Sequence, residues 1–309
     1  MSAKKNNTPK SKKIFYRITF VILLIIFLGS SFYLIQHLLI DPYINNKTMD
    51  EIKNTYYQDF PPSDVTSAEN NGPDLLKLTA INGDIKGWIK INNTPIDYPV
   101  LYSDYYLYHD YKKNYTRYGS IFLDNICILE DNPQNILLHG HHMNNGSMFA
   151  KICNYRNLDF YKQNPTFTFD SIYEKGTFKV IAAFITNTNP EHGEIFHYLQ
   201  SEFKDKSNFL NYVYKVRMRS NINCPVDIKD DDQLITLSTC SYEMSDFRTV
   251  VVARRVRTNE DPNVNVSSAN YNPNTLYPDA YHKKIGTKKP TFRTFEEDLR
   301  DKKISWYLQ

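Results

Sequence analysis

The chain has 309 residues, with 37 Lys or Arg, 34 Asp or Glu and 4 Cys. An apolar fraction of 41% is enough for a packed core, which excludes a wholly disordered chain, and the cysteines are too few for a disulfide scaffold. Six basic residues and no acidic residue precede residue 40. Because this positive charge lies on a leader, the distribution argues against a nucleic-acid-binding protein.

An uncharged apolar segment of eighteen residues, 18–35, follows the basic leader, and apolar residues resume at 38–40. A helix needs about 20 apolar residues to cross a bilayer. We therefore predict a cytoplasmic leader over 1–17 and a single transmembrane helix over 18–40, with the lipid bilayer as a partner. The rest of the chain is then expected outside the cell. A cleaved signal peptide, with its cleavage region near residues 29–31, stays open as the alternative.

The segment that follows, residues 41–72, is polar and contains three prolines, which predicts a stalk with a short helix near residues 49–57. A second helix is expected from Pro73 to about Gly83. Short apolar runs of strand length come next. They occupy residues 88–91, 96–101 (with Pro99, hence an edge or a bulge), 120–123, 135–138, 166–169, 177–185, 234–237 and 249–256.

Apolar residues at three- to four-residue spacing predict two longer helices, at 147–161 and 195–216. Many short strands with few alternating helices indicate a mixed or antiparallel barrel with attached helices. The last 52 residues, 258–309, are rich in Pro and Asn, so we expect a mostly extended tail with one short helix near 296–307. Its role is open, and one hypothesis is that it shields the functional site.

A cluster of histidines follows the strand at 135–138, where polar side chains at a strand end can face a cleft. His139, His141 and His142 lie within four positions. No Asp, Glu or Cys within the cluster completes a ligand set, so a metal site is one interpretation and chance surface histidines are another.

A cysteine at the end of a strand is the second feature. Cys240 ends the run Thr-Leu-Ser-Thr-Cys at residues 236–240, and Arg248 opens the next strand. A buried structural thiol is the usual alternative, and it suits Cys127, which lies between two isoleucines, better. A thiolate nucleophile, a His for proton transfer and a cation or N–H donors for the oxyanion together predict acyl transfer on a cysteine.

These motifs resemble those of the sortase family. TLSTC at residues 236–240 is similar to the family's TLxTC signature, whose final Cys is the nucleophile. GHHMNNGSMF at residues 140–149 resembles the class B form, in which the His directly after the Gly is catalytic, and this selects His141. Arg248 matches the arginine of the strand after the Cys strand, and the insert at 195–216 also resembles class B.

The resemblance implies a mainly β fold for residues 73–257: an eight-stranded sortase-type β-barrel with N-terminal and inserted helices, preceded by the single transmembrane helix. It leaves residues 258–309 without a counterpart. It implies localisation at the cell membrane, with the catalytic domain extracellular. No cofactor and no metal are expected.

The resemblance also implies the chemistry. Cys240 would attack the bond after a Thr in the C-terminal sorting motif of a secreted protein, and an amine of a peptidoglycan precursor, or another amine acceptor, would resolve the thioacyl intermediate. His141 would be the general acid and base, Arg248 would stabilise substrate or oxyanion, and Ser238 and Thr239 would contact substrate. Hydrolysis by a membrane-anchored cysteine peptidase, or a non-catalytic surface-binding protein with an inert Cys240, are the alternatives.

Overall fold

The structure is a computed structural model that describes residues 10–57 and 75–308. The chain divides into two compact units, Met1–Glu51 and Ile52–Gln309. The second unit extends beyond the predicted catalytic domain, 73–257, at both ends. The beginning of the predicted leader, the stalk beyond residue 57 and the first residues of the helix predicted at Pro73 lie outside the described residues.

Helical structure dominates the N-terminal part of the chain. Helix α1 (Lys10–Ile35), a π-helical turn (Gln36–Ile40) and α2 (Asp41–Tyr57) follow one another without a break. The apolar side chains of α1 are exposed, as at Phe20 (67%) and Phe27 (65%). Among the described residues, the continuous helical segment Lys12–Tyr57 is the one long and apolar enough to cross a membrane, a test that a signal sequence also passes. It includes the predicted span 18–40.

The second unit is built around a closed barrel of eight strands, in the order β1-β2-β3-β4-β8-β9-β6-β5. Each barrel strand overlaps one of the eight predicted runs, which confirms the predicted fold. The ranges are β1 (Ile85–Lys90), β2 (Asp97–Tyr102), β3 (Ile121–Leu123), β4 (Asn135–His139), β5 (Thr166–Ser171), β6 (Lys175–Asn187), β8 (Leu234–Ser241) and β9 (Phe247–Arg255). Two further short strands, β7 (Ile222–Asn223) and β10 (Asn270–Tyr271), pair with each other.

Proline 99 does not mark a sheet edge, because the barrel is closed. It pairs with Trp88 of β1, and the parallel ladder to β3 begins one residue later, at Val100. The missing N–H of Pro99 therefore lies just outside that ladder. An irregularity in register occurs nearby in β1, between Ile85 and Gly87.

The remaining helices pack around the barrel. They are α3 (Leu75–Ile81), α4 (Leu158–Gln163), α5 (Lys206–Arg219), α6 (Asp279–Ile285) and α7 (Phe295–Arg300). The helix predicted over 147–161 is wrong as one element: a 3₁₀ helix, Phe149–Arg156, precedes α4. Asn157 separates the two, since its extended backbone lets its side chain accept hydrogen bonds from the N–H groups of Asp159 and Phe160.

The helix predicted over 195–216 is wrong in its first half. Helix α5 begins only at Lys206, because the carboxylate of Asp205 caps it by accepting from the N–H of Asn208 at 2.8 Å. Residues 195–205 instead run without regular structure along the barrel and bury Phe196 and Tyr198. The apolar spacing of this segment reflects alternate burial, not a helical face.

The C-terminal residues pack into the core of the second unit. Helix α6 was not predicted, and the predicted helix at 296–307 is the shorter α7. Phe295 is 3% exposed within the cluster that contains Phe209 and Val213 of α5. Farther on, the N–H of Ile228 donates to the carbonyl of Trp306 at 2.8 Å. The described part of this segment, 258–308, is therefore an integral part of this fold.

A buried ion network ties the same segment to the barrel. Arg254 of β9 is fully buried, and its guanidinium donates to Glu260 at 2.8 Å and to Asp227 at 3.3 Å. Lys179 of β6 also binds Glu260, at 2.6 Å. Buried charges are tolerated only when paired. Glu260 is therefore needed to pair with the buried guanidinium of Arg254.

Candidate active site

The three predicted catalytic residues lie at the same end of three neighbouring strands. β4 and β8 run parallel, and His139 pairs with Ser238 in that ladder. His141 follows the end of β4 by two residues, and Cys240 is the next-to-last residue of β8. Arg248, near the start of β9, is the direct cross-strand partner of Cys240. The fold therefore brings together residues that are far apart in sequence.

The imidazole of His141 is held by one backbone carbonyl. Its Nε2 lies 2.8 Å from the oxygen of Leu107. A carbonyl only accepts hydrogen bonds, so Nε2 carries the proton, and in the neutral ring Nδ1 is the nitrogen that can take one up. Partial burial lowers the pKa of His141 below its usual 6.5. The neutral ring, which is the base form, therefore predominates at pH 7.

Gly140 lets the histidine loop lie directly against β8. Its N–H donates to the carbonyl of Ser238 at 3.2 Å, and its own carbonyl accepts from the hydroxyl of Thr239 at 2.7 Å. A Cβ at this position would lie 2.4 Å from Cδ1 of Ile121 and 2.9 Å from the ring of Phe149. Only glycine fits here without a shift of buried neighbours.

The two other histidines of the cluster have separate partners. Nε2 of His139 lies 2.8 Å from the carboxylate of Asp124, which holds the pKa of that carboxyl below its usual value. Nδ1 of His142 donates to the carbonyl of Cys240 at 2.8 Å, and its ring stacks on Tyr242. Within residues 10–57 and 75–308 no group of three or more His, Cys, Asp or Glu could hold a metal ion.

Cys240 differs in exposure from the structural cysteines. Cys127 and Cys224 are buried, and burial raises the pKa of their thiols to about 11 and about 12. Cys240 is only partly buried, as is Cys153. The prediction of Cys127 as a core residue is confirmed, whereas Cys240 is partly exposed near the end of its strand.

Arg248 presents a guanidinium without a carboxylate partner. Its Nη1 donates to the carbonyl of Phe247 at 3.1 Å, and the side chain is partly exposed. None of the ion pairs among the described residues involves Arg248. A cation that is not neutralised beside a thiol can bind a carbonyl oxygen or an oxyanion.

Comparison with known proteins identifies the family of this site. Residues 89–256 match the family model of the sortase domain. The chain belongs to the sortase family. Members of this family are cysteine transpeptidases that anchor surface proteins to the cell wall.

Two curated relatives are class B enzymes. The chain is 35% identical to Sortase B of Listeria monocytogenes over 202 residues, which is 64% of this chain and 79% of the relative. It is 32% identical to Sortase B of Staphylococcus aureus over 194 residues, which is 61% of this chain and 77% of the relative. A solved Staphylococcus aureus sortase B–substrate complex matches with a TM-score of 0.63 and 28% identity, covering 71% of this chain and 100% of that one.

Ser238 and Thr239, the predicted substrate contacts, occupy opposite sides of β8 in this sortase, because side chains alternate along a strand. Ser238 lies on the side of Cys240 but is buried, and its hydroxyl meets that of Tyr198 at 2.8 Å. Thr239 is also buried, with its hydroxyl bound to the carbonyl of Gly140. Both hydroxyls are therefore engaged in hydrogen bonds within the protein in this arrangement.

Sequence reasoning missed two contributors to the sortase site. Tyr198 falls within the helix predicted over 195–216, although the alternation of aromatic and polar side chains at Phe196, His197 and Tyr198 is the sequence signal of an extended segment. The carbonyl of Leu107 carries no sequence signal at all, since every residue has one. A cavity of about 620 Å³ lies between this segment and α5, and Cys240, His141 and Arg248 are not among its lining residues.

Proposed function

We propose that this sortase is a membrane-anchored cysteine transpeptidase that cleaves a sorting motif in secreted proteins. The placement of Cys240, His141 and Arg248 at one end of three adjacent strands supports the proposal most directly. The new carboxyl end of the cleaved protein would be joined to an amine of the cell wall or of a pilin. Residues 18–40 would hold the enzyme in the membrane, with the N-terminus in the cytoplasm and the barrel outside.

In the first half-reaction Cys240 loses its proton and its sulfur attacks the carbonyl carbon of the Thr of the motif, in the peptide bond that follows this residue. His141 takes part as proton carrier: it accepts a proton and donates one to the departing amine, so that the C–N bond breaks and a thioester remains. The guanidinium of Arg248 stabilises the negative oxygen of the tetrahedral intermediate or holds the motif. Charge develops where the cation already lies, so little reorganisation is required.

In the second half-reaction an acceptor amine attacks the thioester carbonyl. His141 removes the proton of the amine, the C–S bond breaks, and the sulfur of Cys240 leaves as thiolate. A new amide bond replaces the peptide bond that was cut, and the reaction consumes no cofactor. Water at the same position would give a free acid, which is the reaction of a peptidase.

The test uses purified protein, quenched peptides that carry candidate sorting motifs, and an amine acceptor. Wild type is compared with Cys240→Ala and with Cys127→Ala, which removes a thiol from the core. We expect cleavage and an amine-linked product from wild type and from Cys127→Ala, and neither from Cys240→Ala. Mass spectrometry of the products separates transfer from hydrolysis. Cleavage that survives in Cys240→Ala would refute the proposal, and a free acid at saturating amine would favour the peptidase.

A further inference from the structure

Glu243 lies in the turn between β8 and β9 and makes several of the contacts that hold this turn. Its carboxylate accepts hydrogen bonds from the hydroxyl of Ser241 and from the guanidinium of Arg156, and its backbone carbonyl accepts from the ammonium of Lys284. The carboxylate and the guanidinium are 21% and 20% exposed. Water screens such a pair only weakly, so the contact is stronger than a surface ion pair.

The network continues on the side of the sheet that faces away from the nucleophile. Side chains alternate along a strand, so Ser241 and Thr249 project opposite to Cys240 and Arg248. The hydroxyl of Thr249 donates to that of Ser241 at 3.1 Å, and the thiol of Cys153 lies 3.3 Å from Thr249. These contacts hold the backbone of both strands on the face opposite to Cys240. The face that carries Cys240 and Arg248 is not involved in them.

The same network reaches the catalytic histidine. Arg156 is the last residue of the 3₁₀ helix Phe149–Arg156. At the other end of that helix, the N–H of Phe149 donates to the carbonyl of His141 at 2.9 Å. One short helix therefore contacts the histidine loop at its start and the turn after Cys240 at its end.

The C-terminal segment adds the outer contact. Lys284 belongs to α6, and Tyr281 of the same helix packs its ring against Phe247, with centroids 6.2 Å apart. Glu243 lies within the β8–β9 turn, and Phe247 is the first residue of β9. Helix α6 thus contacts both the turn and the start of the strand that follows it.

We propose that Glu243 and Arg156 form a positioning pair that sets the spacing between Cys240 and His141, and that Lys284 of the C-terminal segment reinforces it. This inference rests on the proposed function, since it assigns the pair to the same reaction. The pair touches no substrate; it acts through the backbone of the turn and through the 3₁₀ helix. A misplacement of about 1 Å in a catalytic group costs on the order of a hundredfold in rate, so small shifts of the turn matter.

The test compares four variants of the full chain in detergent micelles. Arg156→Met removes the charge, Arg156→Lys restores it with fewer donors, and Lys284→Met breaks the outer contact on the surface. Lys283→Met is the matched control, because Lys283 is the exposed neighbour on the same helix and no contact of its side chain is described. Each variant is measured for kcat and KM of peptide cleavage and for thermal unfolding.

We expect kcat to fall by about ten- to a hundredfold in Arg156→Met with KM within about twofold of wild type, because geometry and not binding is lost. Arg156→Lys should recover much of that loss. Lys284→Met should lower kcat by about threefold, whereas Lys283→Met should equal wild type. Wild-type kcat in Arg156→Met would overturn the proposal, as would an equal loss in Lys283→Met and Lys284→Met.

A second readout separates this inference from the function on which it rests. The rate of Cys240 alkylation by iodoacetamide, followed by peptide mass spectrometry from pH 5 to about pH 9, needs no substrate. If wild type cleaves no peptide, the proposed function fails, and the alkylation profile still tests the pair. Slower alkylation of Cys240 near pH 7 in Arg156→Met, with recovery in Arg156→Lys, supports the pair. Identical profiles refute it.

Discussion

The replacement of Phe295 by Ala should be among the most destabilising changes in the C-terminal segment. This side chain begins α7, is 3% exposed, and lies in the cluster formed with Phe209 and Val213; its ring centroid is 5.9 Å from that of Tyr214. A buried Phe→Ala change costs about 3–5 kcal/mol through lost burial and the cavity left behind. For a unit of this size, about 1 kcal/mol lowers the melting temperature by about 2–4 °C, which gives a decrease of about 6–20 °C.

The assay is thermal and urea unfolding of residues 42–309, with Phe292→Ala as the matched control. Phe292 lies three residues earlier and is only partly buried, so its replacement should cost less than half as much. A melting temperature within about 2 °C of wild type for Phe295→Ala, or equal losses in both variants, would refute the packing argument. Deletion of residues 258–309 removes Phe295 and Glu260 together. We therefore expect it to impair folding, not to raise turnover as a shielding tail would.

Four further predictions follow from the site and the buried ion network. Thr239→Val leaves the carbonyl of Gly140 without its donor, and calorimetry should show a loss of about 1–3 kcal/mol in the free energy of unfolding. Gly140→Ala forces a Cβ against packed side chains, and the same measurement should show about 1–3 kcal/mol. The hydrogen bond from Arg254 holds the pKa of Glu260 far below its usual 4.5. The stability that Glu260 contributes is present above pH 4.5 and is lost as the pH falls toward its folded pKa. Urea unfolding of Glu260→Gln should therefore show a free energy of unfolding about 2 kcal/mol below that of wild type at pH 7, and this difference should shrink in acid. The imidazole of His141 should titrate below pH 6.5 by NMR in the folded protein, and a midpoint at or above 6.5 would contradict its burial.

The barrel could be predicted because each of its strands is a short, continuous apolar run. The signal for each strand is therefore local in the sequence. The helices were predicted less well, since Asn157 and Asp205 cap helices at positions where the apolar spacing continues across the boundary. A capping side chain competes with the helix for backbone hydrogen bonds, and that competition overrides the periodic pattern.

For the site, the resemblance of the sequence motifs to the sortase pattern identified the residues that now lie together: Cys240, His141 and Arg248. The contacts that hold them could not be predicted. The bond between His141 and the carbonyl of Leu107 uses a backbone group, and Arg156 meets Glu243 across 87 positions of sequence. Pairs of this kind depend on the closure of the barrel and leave no local pattern in the sequence.

The parallel pairing of β4 with β8 has a consequence for the order of events during folding. Thr239 and Gly140 are 99 positions apart, and contacts across so long a loop form late, because chain entropy is lost before the contact compensates for it. The residues of α6 are nearer still to the C-terminus and reach the turn last. Pulse alkylation during refolding measures the reactivity of Cys240 at each stage. We expect this reactivity to reach its native value only in the slowest phase, when His141 and Cys240 come together. Native reactivity in the first phase would refute this order. An incompletely folded chain would therefore lack the paired thiol and imidazole, so thioester formation on Cys240 would have to wait until the fold is complete.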